Sequence, residues 1–328
     1  MKTPGLIERF RQVAAVQTRE RNALCPNTQS TYIHWLRLFW KFMAPKAARE
    51  WTGQDVESFM WHLKEERYAD KSRRQALCAL VYVFKNVLNL DPGTLNLPAM
   101  PKEKPRVKII PSRAELGRIF AGMKGQTKLM AALMYGSGLR VHECCTLRLK
   151  DVDFEALTLR VHGGKGDKDR LCLLPETLVL ALQKQIAWRL AVHERDCADG
   201  AGFVDMPGRL AIKYPAAARS AEWQFLFPST VLRGQRRWHT TPENVQQALK
   251  AAVKSAGILK RVTPHTLRHA YCTHSLQSGN DAPTVQALMG HDDLNTTMIY
   301  GHADAARGVS PLDCGDLRPA RLALPAFQ

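Results

Sequence analysis

The 328-residue sequence contains no C-x-x-C pair and no apolar run near the roughly 18 residues a bilayer span needs, and it is short of acid relative to base. Its eight cysteines, Cys25, Cys78, Cys144, Cys145, Cys172, Cys197, Cys272 and Cys314, are scattered. Most fall inside apolar helical or strand patterns, which argues against a disulfide framework or zinc cage and predicts reduced, buried thiols. The opening MKTPGLIERFRQ lacks the apolar region of a secretory signal, so a cytoplasmic protein is expected. Neither HExxH nor GxxxxGK[ST] occurs, which removes the zincin and P-loop readings. There is no internal repeat and no low-complexity tract.

What is present is positive charge. Lys and Arg total 47 against 30 Asp and Glu, a formal net charge of +17. Of these, 17 basic and 10 acidic residues precede position 106, leaving +7 in that part and +10 in the rest. The charge is therefore no single cationic tail, and a polyanion touched by both parts is the natural partner. With 45% hydrophobic residues and 8% aromatics, the chain has ample material for packed cores.

The first 90 residues read as helices. Tyr32, Trp35, Leu36, Phe39, Phe42 and Met43 follow 3.6-residue spacing after a cap at Asn27 or Thr28. A second helix follows Thr52, with Asp55 as its capping-box partner. A third is expected over about 71–88, and Arg73 and Arg74 cluster near its start. Cations there oppose the helix dipole unless a phosphate neutralises them, so both are candidate DNA contacts as well as ordinary solvated charges. Residues 91–111 hold five prolines and read as a stiff linker between a domain over 1–90 and one over 112–328. The second domain opens on a Ser112–Glu115 capping box. Two alternating strands, LTLRVH and RLCLLP, are joined by the glycine-rich GGKGDKD. A helix is expected over roughly 176–193, and about 196–229 reads as an insertion without a clear period. The fold class is thus mostly α, with a small antiparallel sheet in the second domain.

Breaking a DNA phosphodiester without a metal requires a nucleophile, cations for the extra charge on the non-bridging oxygens, and a proton for the departing oxygen. Arginine suits the oxygens because its planar fork offers paired donors. Lysine or histidine can supply the proton, and tyrosine can attack and store the bond energy as a phosphotyrosyl ester. The chain offers these types in order: Arg140 after YGSGLR, Lys165 in GGKGDKD, His265 and Arg268 in PHTLRH, then His291 and Tyr300 in LMGHDDLNTTMIY. His265 and Arg268, three apart, share a helix face. His265 and His269 also stand at metal-ligand spacing, but no further ligand completes such a site.

GSGLRVHE, HTLRH and LMGHDDLNTTMIY resemble the boxes of the tyrosine recombinase family, with 23 residues from Arg268 to His291 and 9 from His291 to Tyr300. The resemblance is weak over the first domain and strong over the second. It implies a two-domain DNA clamp with a helical, SAM-like first domain, four copies acting on two sites, and no metal, ATP or other cofactor. It further implies Tyr300 as nucleophile, Arg140 and Arg268 as phosphate clamp, and Lys165 as general acid. His265 and His291 would bind phosphate and help move protons, with Glu143 supporting the first arginine and Lys168 near the DNA. The segment after Tyr300 would contact a neighbouring copy, and the protein would work at the bacterial nucleoid.

LAIKYPAAARSAEWQFLFPS (210–229) and GVSPLD (308–313) are similar to segments of the integron integrase subgroup. That implies recombination of gene cassettes at a duplex site and at sites folded from one DNA strand into a hairpin. The cations and aromatics of the insertion, Lys213 and Trp223 among them, suit stacking on unpaired bases. Trp238 and His239 in RRWHTTPEN are candidates for a second base contact. Trp223 in WQFLF reads alternatively as a core strand residue. Departures from the pattern, such as RHAYCTH and the Gly301-His302-Ala303 that follows Tyr300, leave every reacting group in place. A phage-type integrase acting on two duplex sites, or a DNA-binding relative that has lost catalysis, are the alternatives.

Overall fold

Apolar stripes at helical spacing build the first unit from four helices. These are α1 (Thr3–Gln17), α2 (Pro26–Met43), α3 (Gly53–Glu65) and α4 (Asp70–Tyr82). They bury Leu36, Phe39, Val56, Phe59, Leu80 and Phe84 in one core. The computed structural model describes residues 3–17, 24–93, 95–100, 110–162, 169–208, 210–290, 310 and 312. Two expectations need correction here. α2 is capped by Cys25 with Pro26 in its first turn, not by Asn27 or Thr28. Proline presets the helical φ and has no N–H to leave unsatisfied, so it sets the start. The helix expected over 71–88 changes winding at Val83 and finishes as a π-helical turn over Val83–Leu88, stopped by Asn89 at a left-handed φ of 56°. α3 starts as its sequence dictates, with Asp55 Oδ2 accepting the Thr52 N–H at 2.7 Å.

The chain divides into two compact units, Met1–Arg106 and Val107–Gln328, so the division falls within the proline-rich stretch. Part of that stretch belongs to the first unit. Leu95, Leu97 and Met100 pack on its core, and Glu57 Oε1 accepts the Asn96 N–H at 2.6 Å.

The second unit is organised around a helix that is apolar on every side. α5 (Arg113–Gly122) opens on the Ser112–Glu115 box, where Glu115 Oε2 accepts the Ser112 N–H at 2.7 Å. α6 (Gly125–Ser137) is buried without interruption from Lys128 to Ser137, as an all-round apolar helix must be. The short α7 (Val141–Thr146) follows. A three-stranded antiparallel sheet comes next, in the order β1 (Val152–Asp153), β2 (Thr158–Val161) and β3 (Arg170–Leu173). Leu159 faces Cys172 and Val161 faces Arg170 in its register. α8 (Val179–Ala198) extends beyond the expected end near 193. The insertion has more local order than its composition suggests, with α9 (Leu210–Lys213) and two 3-10 turns. A two-stranded hairpin, β4 (Pro228–Arg233) and β5 (Arg236–His239), was not legible in the sequence. α10 (Pro242–Ser255), α11 (Pro264–Gln277) and α12 (Ala282–Met289) complete the unit. α6 touches α5, α7, α8, α10 and α11, which makes it the axis of the core.

One further expectation changes. Of the seven described cysteines only Cys144, Cys145 and Cys172 are buried, while Cys25 and Cys78 are exposed. At the two described positions beyond Tyr300, the tail packs on its own chain. Ser310 Oγ donates to the Gly136 carbonyl at 2.7 Å, and Leu312 is fully buried in the core. A Cβ at Gly136 would come within 2.4 Å of Leu312, so glycine makes the notch that this leucine fills. Among the described residues no helix is long and apolar enough to cross a membrane.

Candidate active site

The turn that delivers Arg140 is set by one glycine. α6 ends at Gly138 in the left-handed region, φ 66°, where a Cβ would lie 2.6 Å from the Tyr271 ring. Arg140 then adopts extended backbone as the N-cap of α7, and Glu143, at its third position, turns back onto it. Glu143 Oε2 accepts the Arg140 N–H at 2.7 Å, and Oε1 accepts Arg140 Nη1 at 2.7 Å. The GSGLRVHE box is therefore a helix start whose capping carboxylate also holds the side chain of the residue it caps.

A second arginine reaches the same carboxylate. Arg170, at the start of β3, donates from Nη1 to Glu143 Oε1 at 2.9 Å and from Nη2 to Oε2 at 2.6 Å. A third, Arg268 on α11, lies 3.9 Å from Glu143 Oε2 and is almost wholly buried. Its Nη1 and Nη2 donate to the carbonyls of Gly138 and Met289. A guanidinium carries five N–H donors, so these carbonyls fix its plane and leave donors over. Burial alone would push the Glu143 carboxyl up, but the bonds from Arg170 and Arg140 hold it down at about 2. Burial, with Arg140 nearby, lowers Arg268 to about 10, which leaves it charged at neutral pH. Three guanidiniums thus share one carboxylate. The surplus of positive charge is what a phosphate diester, and still more its pentavalent transition state, would neutralise.

The structure brings Arg140, Glu143 and Arg268 together. Arg140 is the more open of the two expected clamps, with 32% of its side chain exposed. His265 is exposed in the first turn of α11, its ring 4.3 Å from that of His269. Among the described residues no three metal-ligating side chains converge. Lys165, Lys168, His291 and Tyr300 lie outside the described residues. Their flanks are described: His162 and Asp169 on either side of the hairpin loop, with His162 Nδ1 2.8 Å from Asp169 Oδ2, and Gly290 before His291.

Arg170 is the residue that sequence reasoning missed. The signal was present in the period of two, because Cys172 and Leu174 are buried and Arg170 shares their face of the strand. A cation on that face needs a carboxylate, and Glu143 is it.

Beside this cluster lies a cavity of about 700 Å³, whose walls include Glu143, Arg148, Trp223, Phe225, Trp238 and His239. Trp223 is half-buried in a 3-10 turn and is no strand residue. The Arg148 guanidinium lies 5.2 Å from its ring centre and Lys150 Nζ lies 4.5 Å away. Arg148 also donates to the Trp223 carbonyl at 2.6 Å and the Asp205 carbonyl at 2.8 Å, which fastens the insertion to the end of α7. His239 is buried, with Nδ1 2.6 Å from the Thr240 carbonyl and its ring against Trp238 and Phe225. Burial holds its pKa below the usual histidine value, so it backs the half-buried Trp238 as a neutral ring. Lys213 stands on the exposed α9 with its Nζ 5.2 Å from the Tyr214 ring, away from the cavity wall.

Arg73 and Arg74 differ from the expected phosphate contacts. Arg73 is buried, pairs with Asp70 and donates to the Ala99 carbonyl at 3.4 Å. Arg74 donates to the Met100 carbonyl. Both tie residues 95–100 to α4, and Asp70 in the first turn offsets the unfavourable placement of cations at the helix start.

A model of the phage integrase family matches residues 113–307, and one of the phage integrase N-terminal SAM-like domain matches residues 6–93. The chain is 39% identical over 296 residues to an integrase/recombinase of Escherichia coli, covering 87% of this chain and 88% of that one. It is 30% identical over 255 residues to the tyrosine recombinase XerA of Pyrococcus furiosus, covering 77% of each. Among solved structures, the Tn1549 transposon integrase in complex with transposon right end DNA aligns with TM-score 0.59 at 21% identity, over 91% of this chain and 97% of that one. The XerH recombinase bound to palindromic difH substrate aligns with TM-score 0.58 at 20% identity, over 91% and 82%. These two structures establish a shared fold.

Proposed function

The chain belongs to the phage integrase family, as a tyrosine recombinase that breaks and rejoins DNA strands, and from there we propose that it is an integron integrase that moves gene cassettes. Tyr300 attacks the scissile phosphorus and forms a 3′-phosphotyrosyl ester, its phenolic proton passing to the histidines of the site, while the 5′ oxygen leaves with a proton from Lys165. Arg140 and Arg268 hold the non-bridging oxygens, with His265 and His291 beside them, and Glu143 keeps Arg140 in place. Attack by a free 5′ hydroxyl on the ester reverses the step and reseals the strand, so the bond energy is conserved. Each copy cuts one strand, and four copies complete an exchange between a duplex integron site and a folded cassette site. Lys168 and the first domain hold the DNA, with no cofactor taking part.

The observation that carries the integron reading is the cavity that shares Glu143 with the arginine cluster. It presents the rings of Trp223 and Trp238, and two cations lie against the Trp223 ring. A base turned out of a hairpin stem can stack on such a wall in any sequence context, which suits sites recognised by shape. Lys213 serves the backbone of such a hairpin rather than the base. The test compares recombination of a bottom-strand hairpin with that of the same sequence as duplex. A hairpin preference is expected. Equal rates would favour a phage-type integrase on two duplex sites, and no covalent adduct on either would mean a DNA-binding relative without catalysis.

A further inference from the structure

Arg170 sits where the sheet, α7 and the end of α12 meet, and it bonds to all three. Its backbone pairs with Val161 across β2 and β3. Its guanidinium grips both oxygens of Glu143 on α7, while Nε donates to the Leu288 carbonyl in the last turn of α12 at 3.3 Å. The aliphatic stem closes the same gap. A Cβ on Gly290, which stands at φ 58°, would lie 2.9 Å from Arg170 Cδ. Cys172, two residues along the strand, donates to the same Leu288 carbonyl at 3.5 Å.

Stability alone gives little reason for this arrangement. A buried ion pair is often matched or bettered by apolar side chains of similar volume, and Arg170 lies on a face otherwise built of Cys172 and Leu174. What a bidentate fork supplies is orientation. Two parallel bonds fix the plane of a carboxylate, which one lysine or one hydrogen bond cannot do. With its plane fixed, Glu143 presents Oε1 to Arg140 Nη1 and Oε2 to the Arg140 N–H at the same time. Without the fork, Arg268, 3.9 Å from Oε2, would compete for the carboxylate.

We propose that Arg170 is a positioning residue for strand cleavage, locking Glu143 so that Arg140 is held for the phosphate and seating Gly290, the residue before His291. In this role it acts through Glu143 and Gly290 rather than on the phosphate itself. This inference rests on the recombinase reading of the site. It joins three segments that carry reacting groups in sequence: the hairpin of Lys165, the turn of Arg140, and the chain leading to His291 and Tyr300.

The test uses the full-length chain and a nicked duplex of the DNA adjoining its own gene, on which cleavage traps the protein covalently. Wild type, Arg170→Met and Arg170→Lys are compared for single-turnover adduct formation, for Kd on the un-nicked duplex, and for Tm. Arg170→Met should form adduct roughly 10- to 100-fold more slowly, with Kd within about twofold of wild type. Arg170→Lys should recover part of the rate, because it restores charge without the fork. Adding Arg140→Ala to Arg170→Met should slow cleavage by less than the two separate losses combined, since both act through one clamp. Should Arg170→Met fail to fold, the lysine variant carries the test, with its rate lowered and its Kd unchanged. A wild-type rate in Arg170→Met, or a rate that falls only in proportion to binding, overturns the inference. A wild type that forms no adduct overturns the recombinase reading beneath it instead.

Discussion

The second unit holds two groups of arginines, and they differ in how their charge is answered. Around α8 and the insertion, the arginines end on a carboxylate, a backbone carbonyl or a side-chain amide. Arg237 forks onto Asp196 at 2.5 and 2.6 Å, Arg236 pairs with Asp205, and Arg189 donates to the Phe225 carbonyl and Gln224. Around Glu143, three arginines converge on a single carboxylate. The first group is a fastening that pins the insertion to the body of the unit. The second is left cationic and needs an anion from outside. Burial of arginine therefore says little about role, whereas the local count of carboxylates says a good deal.

The comparison can be broken most forcefully in the balanced group. Asp196→Ala leaves Arg237 buried and uncompensated, and should cost about 3–5 kcal/mol of unfolding free energy. Urea denaturation measures it, and a loss below about 1 kcal/mol would mean the group is not a fastening. In the surplus group the effect moves from stability to chemistry. Arg140→Ala should slow strand cleavage by roughly a hundredfold to a thousandfold while shifting Tm by only a few degrees, because it removes charge from a site that already has too much. Adduct formation and a thermal melt on one preparation separate the two effects.

A buried histidine sharpens the contrast, since its charge is suppressed rather than answered. His274 lies 2.9 Å from the Tyr135 hydroxyl, and burial together with Arg113 lowers its pKa to about 4. Unfolded histidine titrates near 6.5, so between pH 6.5 and 4 the unfolded chain binds the extra proton. Its contribution is fully present above pH 6.5 and is lost as the pH falls toward 4, amounting to about 3 kcal/mol. The urea midpoint measured across that window should fall accordingly, and His274→Phe should remove that part of the slope. The smallest expected effect belongs to the cavity. Trp223→Ala should weaken binding of a bottom-strand hairpin by about 1–3 kcal/mol and leave duplex binding unchanged. A gel-shift titration with both probes reads it.

The parts of this molecule that were legible in its sequence are those whose partners are close along the chain. The Thr52–Asp55 and Ser112–Glu115 boxes and the hairpin of β2 and β3 are local, and they form as expected. So does the Arg140–Glu143 pair, three residues apart. Arg170 escaped because Glu143 lies 27 residues upstream, and only the inward face of its strand pointed to a buried partner. Arg73 misled for the same reason in reverse, since the Ala99 carbonyl it reaches is 26 residues away. The hairpin of β4 and β5 lacks clean alternation, and its outer face is exposed, so no period marks it. The cap of α2 was missed because proline in the first turn outweighed the polar residues that follow it.

The central claim is that this cationic site serves a covalent step through Tyr300. Its most direct measurement is adduct formation on a nicked bottom-strand hairpin, with wild type and Tyr300→Phe run side by side on denaturing gels. Wild type should shift to a covalent protein–DNA band that protease digestion removes, and Tyr300→Phe should bind the hairpin equally well and give no such band. A band of equal strength from Tyr300→Phe, or none from a wild type that binds the hairpin, would contradict the account.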